Sequence, residues 1–272
     1  MLIFPHAKIN LGLFVKRKRE DGFHEIETVF YPVMLKDVLE IITTDGTKSS
    51  FFSSGINIPG NRNSNLCIKA YELLKKRYNI PAVNMHLHKV IPTGAGLGGG
   101  SSDAAFTLRL LNEMLSLNIN KDEMMSLAAQ LGSDCAYFIH DEPMLAKGRG
   151  EIFSNINLDL SDYHILLIKP DLSISSAEAY SMIRPEEPQA SLEEIIKTPV
   201  NDWKKFLYND FEIPIFKKHP YIKEIKEFLY EKRAVYASMS GSGSAVFGLF
   251  NEKPNIEAEK IFKDCFCWAG KL

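Results

Sequence analysis

The chain has 272 residues, 45% of them hydrophobic and 24% charged, with 32 Lys and Arg against 34 Asp and Glu and a net charge of −2. That balance excludes a disordered or collagen-like chain and leaves no overall positive field to gather nucleic acid or anionic lipid. Four cysteines are too few for a disulfide framework, and Cys265 and Cys267 stand one residue apart where redox and zinc motifs need two, so all four read as reduced thiols of a cytoplasmic protein.

The opening segment, MLIFPHAKINLGLFVKRK, lacks the basic start, apolar core and cleavage site of a secretory leader. Ala7, Ile9, Leu11, Leu13 and Val15 alternate with Lys8, Asn10, Gly12 and Phe14, which predicts a half-buried strand over 7–15. Lys16 to Arg19 and then Glu20-Asp21-Gly22 read as a polar turn with a solvated face, and 24–35 as the returning strand. A short strand follows over 38–43. The Ser-, Gly- and Asn-rich stretch 45–65 reads as a long loop with at most short strands. A helix is expected over 66–78 with Ile68, Leu73 and Leu74 as its apolar candidates, and a strand over 83–90. His86 and His88 share one face of that strand, and without further ligands they do not suggest zinc.

Helical spacing returns over 101–117, where Ala104, Leu108, Leu111 and Leu115 form a stripe, and over 120–131, opened by Asn120-x-x-Glu123 and stopped by Gly132. Turns are expected near Pro143 and over 147–150, then a strand over 163–169 and an acidic loop over 184–189. Helices at 192–197 and 220–232, strands at 236–239 and 246–250, and a last helix over 256–267 complete the chain. No run of about eighteen apolar residues could cross a membrane. At about 100–200 residues per domain, two lobes are expected, 1–155 and 156–272.

The most informative segment runs from Pro92 through Thr93, Gly94, Ala95, Gly96, Leu97, Gly98, Gly99 and Gly100 to Ser101 and Ser102, with a strand before it and a helix after it. Glycines belong where φ is positive or where backbone must touch a ligand, and a helix start adds unpaired amides and a positive dipole end. A phosphate-binding loop is the natural reading. No lysine lies inside it, which excludes a P-loop. Gly94-x-Gly96-x-x-Gly99 fits the dinucleotide pattern, but that fold wants an acid about twenty residues on at the end of the next strand, and Glu113 lies in or near the same helix.

Pro-x-x-x-Gly-Leu-Gly-Gly-Gly-Ser-Ser resembles the ATP motif of the GHMP kinases, the group of galactokinase, homoserine kinase and mevalonate kinase. Phe4-Pro5-His6-Ala7-Lys8-Ile9-Asn10-Leu11 and Met239-Ser240-Gly241-Ser242-Gly243-Ser244-Ala245-Val246-Phe247 resemble its first and third motifs. Asp21-Gly22-Phe23-His24 and Leu131-Gly132-Ser133-Asp134 are similar to the branch acting on the 2-hydroxyl of a cytidine-diphosphate sugar alcohol, on the non-mevalonate route to isoprenoids. The resemblance spans residues 4 to 248. It implies an α+β, two-lobed fold, the first lobe like the second domain of ribosomal protein S5 and the second ferredoxin-like.

By that resemblance Lys8 and Asp134 are catalytic, the aspartate taking the hydroxyl proton and the lysine drawing down charge. It gives ATP to residues 92–102 and implies Mg²⁺, with Ser101 or Ser102 as the serine that could meet it. His24 would hydrogen-bond the cytosine, Phe23 would replace the family's usual tyrosine as a stacking face, Tyr180 would be the opposing ring, and Asn10 would touch the sugar alcohol. Taken alone, Asp134 reads first as a helix cap and His24 as a satisfied strand histidine, and the plain alternative for Lys8 is a surface lysine in an edge strand. Homoserine or mevalonate kinase is the rival enzyme, and an RNA- or nucleotide-binding module the rival without catalysis. A monomer or a homodimer without nucleic-acid or membrane partners is expected.

Overall fold

Alternating apolar residues set most strands of the computed structural model, which describes residues 1–272. The chain opens with β1 (Leu2–Ile3), β2 (His6–Lys18), β3 (His24–Lys36), β4 (Val38–Thr43) and β5 (Ser50–Gly55), then α1 (Leu66–Tyr78) and β6 (Val83–Lys89). Beyond the glycine loop lie α2 (Gly99–Met114), α3 (Lys121–Ala129), α4 (Tyr137–His140), β7 (Met144–Lys147), β8 (Ile152–Asn155) and β9 (His164–Pro170). Five helices follow: α5 (Ser176–Met182), α6 (Leu192–Ile196), α7 (Val200–Phe206), α8 (Glu212–Lys218) and α9 (Pro220–Glu231). The last elements are β10 (Tyr236–Met239), β11 (Val246–Phe250), α10 (Ala258–Ile261) and β12 (Cys265–Lys271). No helix is long and apolar enough to cross a membrane.

Two compact units are interleaved along the sequence. One comprises Met1–Ala7, Leu35–Thr93 and Gly98–Asp141, the other Lys8–Met34, Gly94–Leu97 and Glu142–Leu272. Contacts thus group the chain by space, where sequence offered a single cut near 150–160.

In the first unit, four strands pair in the order β1-β4-β6-β5, with β4 antiparallel and β5 parallel to β6. Helix α1 starts where the Asn65 side chain accepts the Cys67 N–H and ends at left-handed Asn79. Its buried stripe is Cys67, Ala70, Tyr71 and Leu74, spaced by three, one and three, so of the apolar residues expected to face inward only Leu74 is fully buried. Helix α2 buries Ser102 through Leu108, which makes it an interior helix rather than a one-sided one.

The second unit holds sheets β2-β3-β7-β8 and β10-β11-β9-β12. Ile222, Ile225 and Leu229 of α9 pack with Leu166 and Ile168 of β9, Ala237 and Met239 of β10, and Leu13 and Val15 of β2. Three expectations change here. Strand β2 is covered on both faces, every residue from His6 to Val15 being buried, so Lys8 and Asn10 lie inside rather than on an open edge. It also continues through the basic run to Lys18, where Lys16 pairs with Glu187 and Arg17 with Glu25, and Arg19 pairs with Asp21 in the turn beyond. The helix expected over 256–267 is only the turn α10. Residues Cys265 to Lys271 instead pair antiparallel along the whole of β9, with Cys265 and Cys267 against the core.

Candidate active site

The glycine loop earns its composition residue by residue. Gly94, Gly96 and Gly98 have φ of +61°, +73° and +70°, a conformation that costs most other residues about 1–2 kcal/mol. Between them Ala95 and Leu97 are buried. Helix α2 begins on Gly98, so Gly99 and Gly100 are its first residues and not loop. A Cβ on Gly99 would lie 2.9 Å from Lys89 Nζ and 2.8 Å from Ile91 Cγ2, which explains a glycine inside a helix. The first-turn amides have no acceptor within the helix.

Below that turn, in the first unit, Lys89 Nζ donates to Asp103 Oδ2 at 2.8 Å and to Asp37 Oδ2, while Asp37 Oδ1 accepts the amides of Val90 (2.6 Å) and Ile91 (2.8 Å). Burial alone would lower the lysine's pKa, but the Asp103 and Asp37 charges outweigh it and raise it. Burial pushes the Asp103 carboxyl upward. The same unit carries a cavity of about 370 Å³ lined by Ile58, Asn61, Asn65, Thr93, Gly100 and Asp103 among others. Only Thr93 and Gly100 of this lining were legible as site residues. Residues 58–65 signalled no more than a loop, because Asn, Pro and Gly mark turns whether or not a ligand is near.

Asp134, also in this unit, is half-buried in the turn before α4, and Ser133 Oγ donates to its Oδ1 at 3.3 Å. It is not a helix cap, since α4 is capped at Ala136 without a side-chain bond.

In the second unit, Lys8 is 3% exposed. Its Nζ donates to Asn10 Oδ1 (2.7 Å) and to the Gly96 carbonyl (3.1 Å), and lies 4.8 Å from the centre of the Phe30 ring. Asn10 Nδ2 donates to Thr28 Oγ1 at 2.9 Å, which fixes which end of the amide faces the lysine. Ser240 Oγ donates to the same Gly96 carbonyl at 2.8 Å. The second glycine turn is held from behind by Asn209, whose Nδ2 donates to the Met239 and Gly241 carbonyls, each at 2.8 Å. Lysine, glycine loop and the 240–243 turn are one hydrogen-bonded assembly. Asn209 and Ser240 escaped sequence reasoning as individuals, although Ser240 lay in a noted motif.

His24 and Tyr180 stack at 4.8 Å with an interplanar angle of 16°, and Tyr180 meets Phe211 edge-on at 4.9 Å. Burial, and then the Lys18 charge, lower the pKa of His24. Phe23 is 55% exposed at the hairpin tip, its ring 4.9 Å from the Arg149 guanidinium. The structure therefore brings His24 onto Tyr180, while Phe23 stacks on an arginine.

Sequence-family models match residues 65–142 as the GHMP kinases N terminal domain and 191–265 as the GHMP kinases C terminal. The chain is 50% identical over its full length to the 4-diphosphocytidyl-2-C-methyl-D-erythritol kinase of Parabacteroides distasonis, and 52% identical to that of Bacteroides thetaiotaomicron, with complete coverage of both relatives. Among solved structures, a 4-(cytidine 5'-diphospho)-2C-methyl-D-erythritol kinase superposes with a TM-score of 0.86 at 31% identity, over 99% of this chain and 98% of the other. Mevalonate kinase of Methanococcus jannaschii shares the fold, with a TM-score of 0.75 at 16% identity over 100% and 98% of the two chains. This chain belongs to the GHMP kinases, in the branch whose members carry the name 4-diphosphocytidyl-2-C-methyl-D-erythritol kinase.

Proposed function

We propose that the chain transfers the γ-phosphoryl group of ATP to the 2-hydroxyl of 4-diphosphocytidyl-2-C-methyl-D-erythritol, a step on the non-mevalonate route to isoprenoids. The observation that carries this reading is the bond from the buried Lys8 ammonium to the Gly96 carbonyl, which ties a cation to the glycine loop. Full-length identity to relatives named for that acceptor supports the choice of alcohol.

Phosphoryl transfer asks a protein mainly to position two oxygens and offset charge. Residues 92–102 offer the triphosphate backbone amides and the positive end of α2. The cavity beside Gly100 suits the adenosine end. Lys8, its position set by Asn10 and Gly96, stabilises charge on the oxygen that attacks, and Asp134 accepts that oxygen's proton. Asn10 orients the sugar alcohol. His24 offers cytosine the donor and acceptor of a neutral imidazole, and the Tyr180 and Phe23 rings supply apolar faces.

Magnesium fits the residues present. It keeps phosphates and waters as ligands and needs few protein oxygens, and Ser102 Oγ is buried without a hydrogen-bond partner in the first turn of α2. Ser101 or Ser102 would hold it, and it would offset charge on the β- and γ-phosphates. Four free thiols suit a reducing compartment, and we place the enzyme in the cytoplasm. Residues 1–155 and 156–272 are taken as its N- and C-terminal domains.

The test is turnover by the purified protein with ATP, Mg²⁺ and each of three alcohols. Phosphorylation of the cytidyl acceptor is expected, with none of homoserine or mevalonate; either of those in its place overturns the assignment. Asp134→Asn should lower kcat about a hundredfold or more, the usual contribution of a general base. A near-normal rate removes Asp134 from that role.

A further inference from the structure

Strand β2 enters the site at His6, a residue with no role so far. It is 4% exposed, and both ring nitrogens face oxygens that can only accept. Nε2 donates to Asp141 Oδ1 at 2.5 Å, and Nδ1 lies 2.7 Å from the Ala7 carbonyl. The ring is packed between Phe106 and Phe138, each centred 5.5 Å away. The other oxygen of Asp141 accepts from Arg109 Nη1 at 2.9 Å, and Arg109 lies over Phe106 at 4.5 Å. Asp141 closes α4 in a left-handed conformation, φ +63°. Its carboxyl is pulled down to about 2, first by the His6 hydrogen bond and, against burial, by Arg109.

Each member of this network sits on an element that leads to a proposed active residue. His6 lies two residues before Lys8 on the same face of β2. Arg109 lies on α2, whose first turn is the end of the glycine loop. Asp141 ends the helix that begins three residues after Asp134. We infer that His6, Asp141 and Arg109 act as positioning residues for the phosphoryl transfer, fixing the start of the lysine strand to the segments that carry the phosphate amides and the aspartate.

The inference rests on the kinase reading given above. None of the three needs to touch either substrate, so their loss should lower the rate and spare binding. A shift of about 1 Å in reacting groups can cost a hundredfold in rate.

Steady-state kinetics on the full chain, with melting temperature measured in parallel, tests it. His6→Leu is expected to lower kcat about tenfold or more while both KM values stay within about twofold. His6→Gln, which restores a donor near the Nε2 position, should recover kcat to within about threefold of the parent. Asp141→Asn keeps the side chain's shape and carries the test if His6→Leu does not fold. Adding it to His6→Leu should lower kcat further by less than it does alone, because the two act as one unit. An unchanged kcat in folded His6→Leu or Asp141→Asn overturns the clamp, as do raised KM values at normal kcat, or full additivity. If the parent itself phosphorylates none of the alcohols, the kinase reading fails first and the clamp falls with it.

Discussion

His24 offers a neutral ring at physiological pH, because burial and the neighbouring Lys18 hold its pKa below the ordinary 6.5. The folded ring resists a proton that the unfolded ring accepts. Stability tied to it is therefore complete above 6.5 and is lost as pH falls through the lowered value. The same protonation would remove the ring's acceptor from the cytosine edge. We expect His24→Ala to raise KM for the cytidyl acceptor about tenfold at neutral pH, the cost of one polar group left unpaired, with KM for ATP nearly unchanged. In the parent, KM for the acceptor should stay level through pH 6.5 and climb only as pH falls through the ring's lowered pKa, a climb missing from the variant. Equal rises in both KM values would contradict a cytosine contact. Lys8 shows the limit of reading single residues. Its candidacy came through resemblance, but its burial did not, since alternation along β2 reports two faces without saying that both are covered. A buried ammonium needs acceptors, and two of them, on Asn10 and Gly96, stand two and 88 positions away.

At the scale of elements, the strands and helices whose period was plain, among them β4, α1, β10 and β11, fall where the sequence places them. The misread C-terminal helix shows why others do not. Cys265 to Lys271 has no alternation strong enough to separate strand from helix, and its state is settled by β9, a strand about a hundred residues earlier in the chain. The glycine loop is legible as a run of positive φ, but its counterpart is not. A Cβ on Gly96 would stand 1.9 Å from the Ser240 carbonyl oxygen, a contact between backbones 144 residues apart. Backbone cannot yield as a side-chain tip can. Gly96→Ala is therefore expected to destabilise by more than about 3 kcal/mol and to abolish turnover, because the Gly96 carbonyl also holds Lys8. Gly22→Ala is the control: φ there is +83° but nothing lies within 4 Å of the added Cβ, so about 1 kcal/mol is expected. Urea unfolding of the two variants separates conformational strain from collision, and equal losses would show that the approach to Ser240 is not tight.

For the whole molecule, net charge and composition narrowed the function class without naming it, and four ordered motifs then gave the kinase fold. What stayed hidden was the company each motif keeps: the Ser240 turn against Gly96, Asn209 behind it, and His24 on Tyr180. These are pairings across the chain, and no local period encodes them. They also mean that a rate lost by mutation has two sources, damaged chemistry or a loosened fold, which activity alone confuses. Ligand linkage separates them. A ligand at about a hundred times its Kd stabilises the folded state by about 2.7 kcal/mol, which for a chain of this size raises the melting temperature by about 5 °C or more. ATP and the cytidyl acceptor are each expected to produce such a rise in the parent, measured separately by thermal unfolding. Asp134→Asn should keep both rises while turning over slowly, since a proton acceptor is needed in the transition state and not for binding. Loss of both rises would make Asp134 a binding residue, and a melting temperature lowered without ligand would place it among the residues that hold the fold. A parent that ATP does not stabilise would take the nucleotide away from the glycine loop, whatever its sequence resembles.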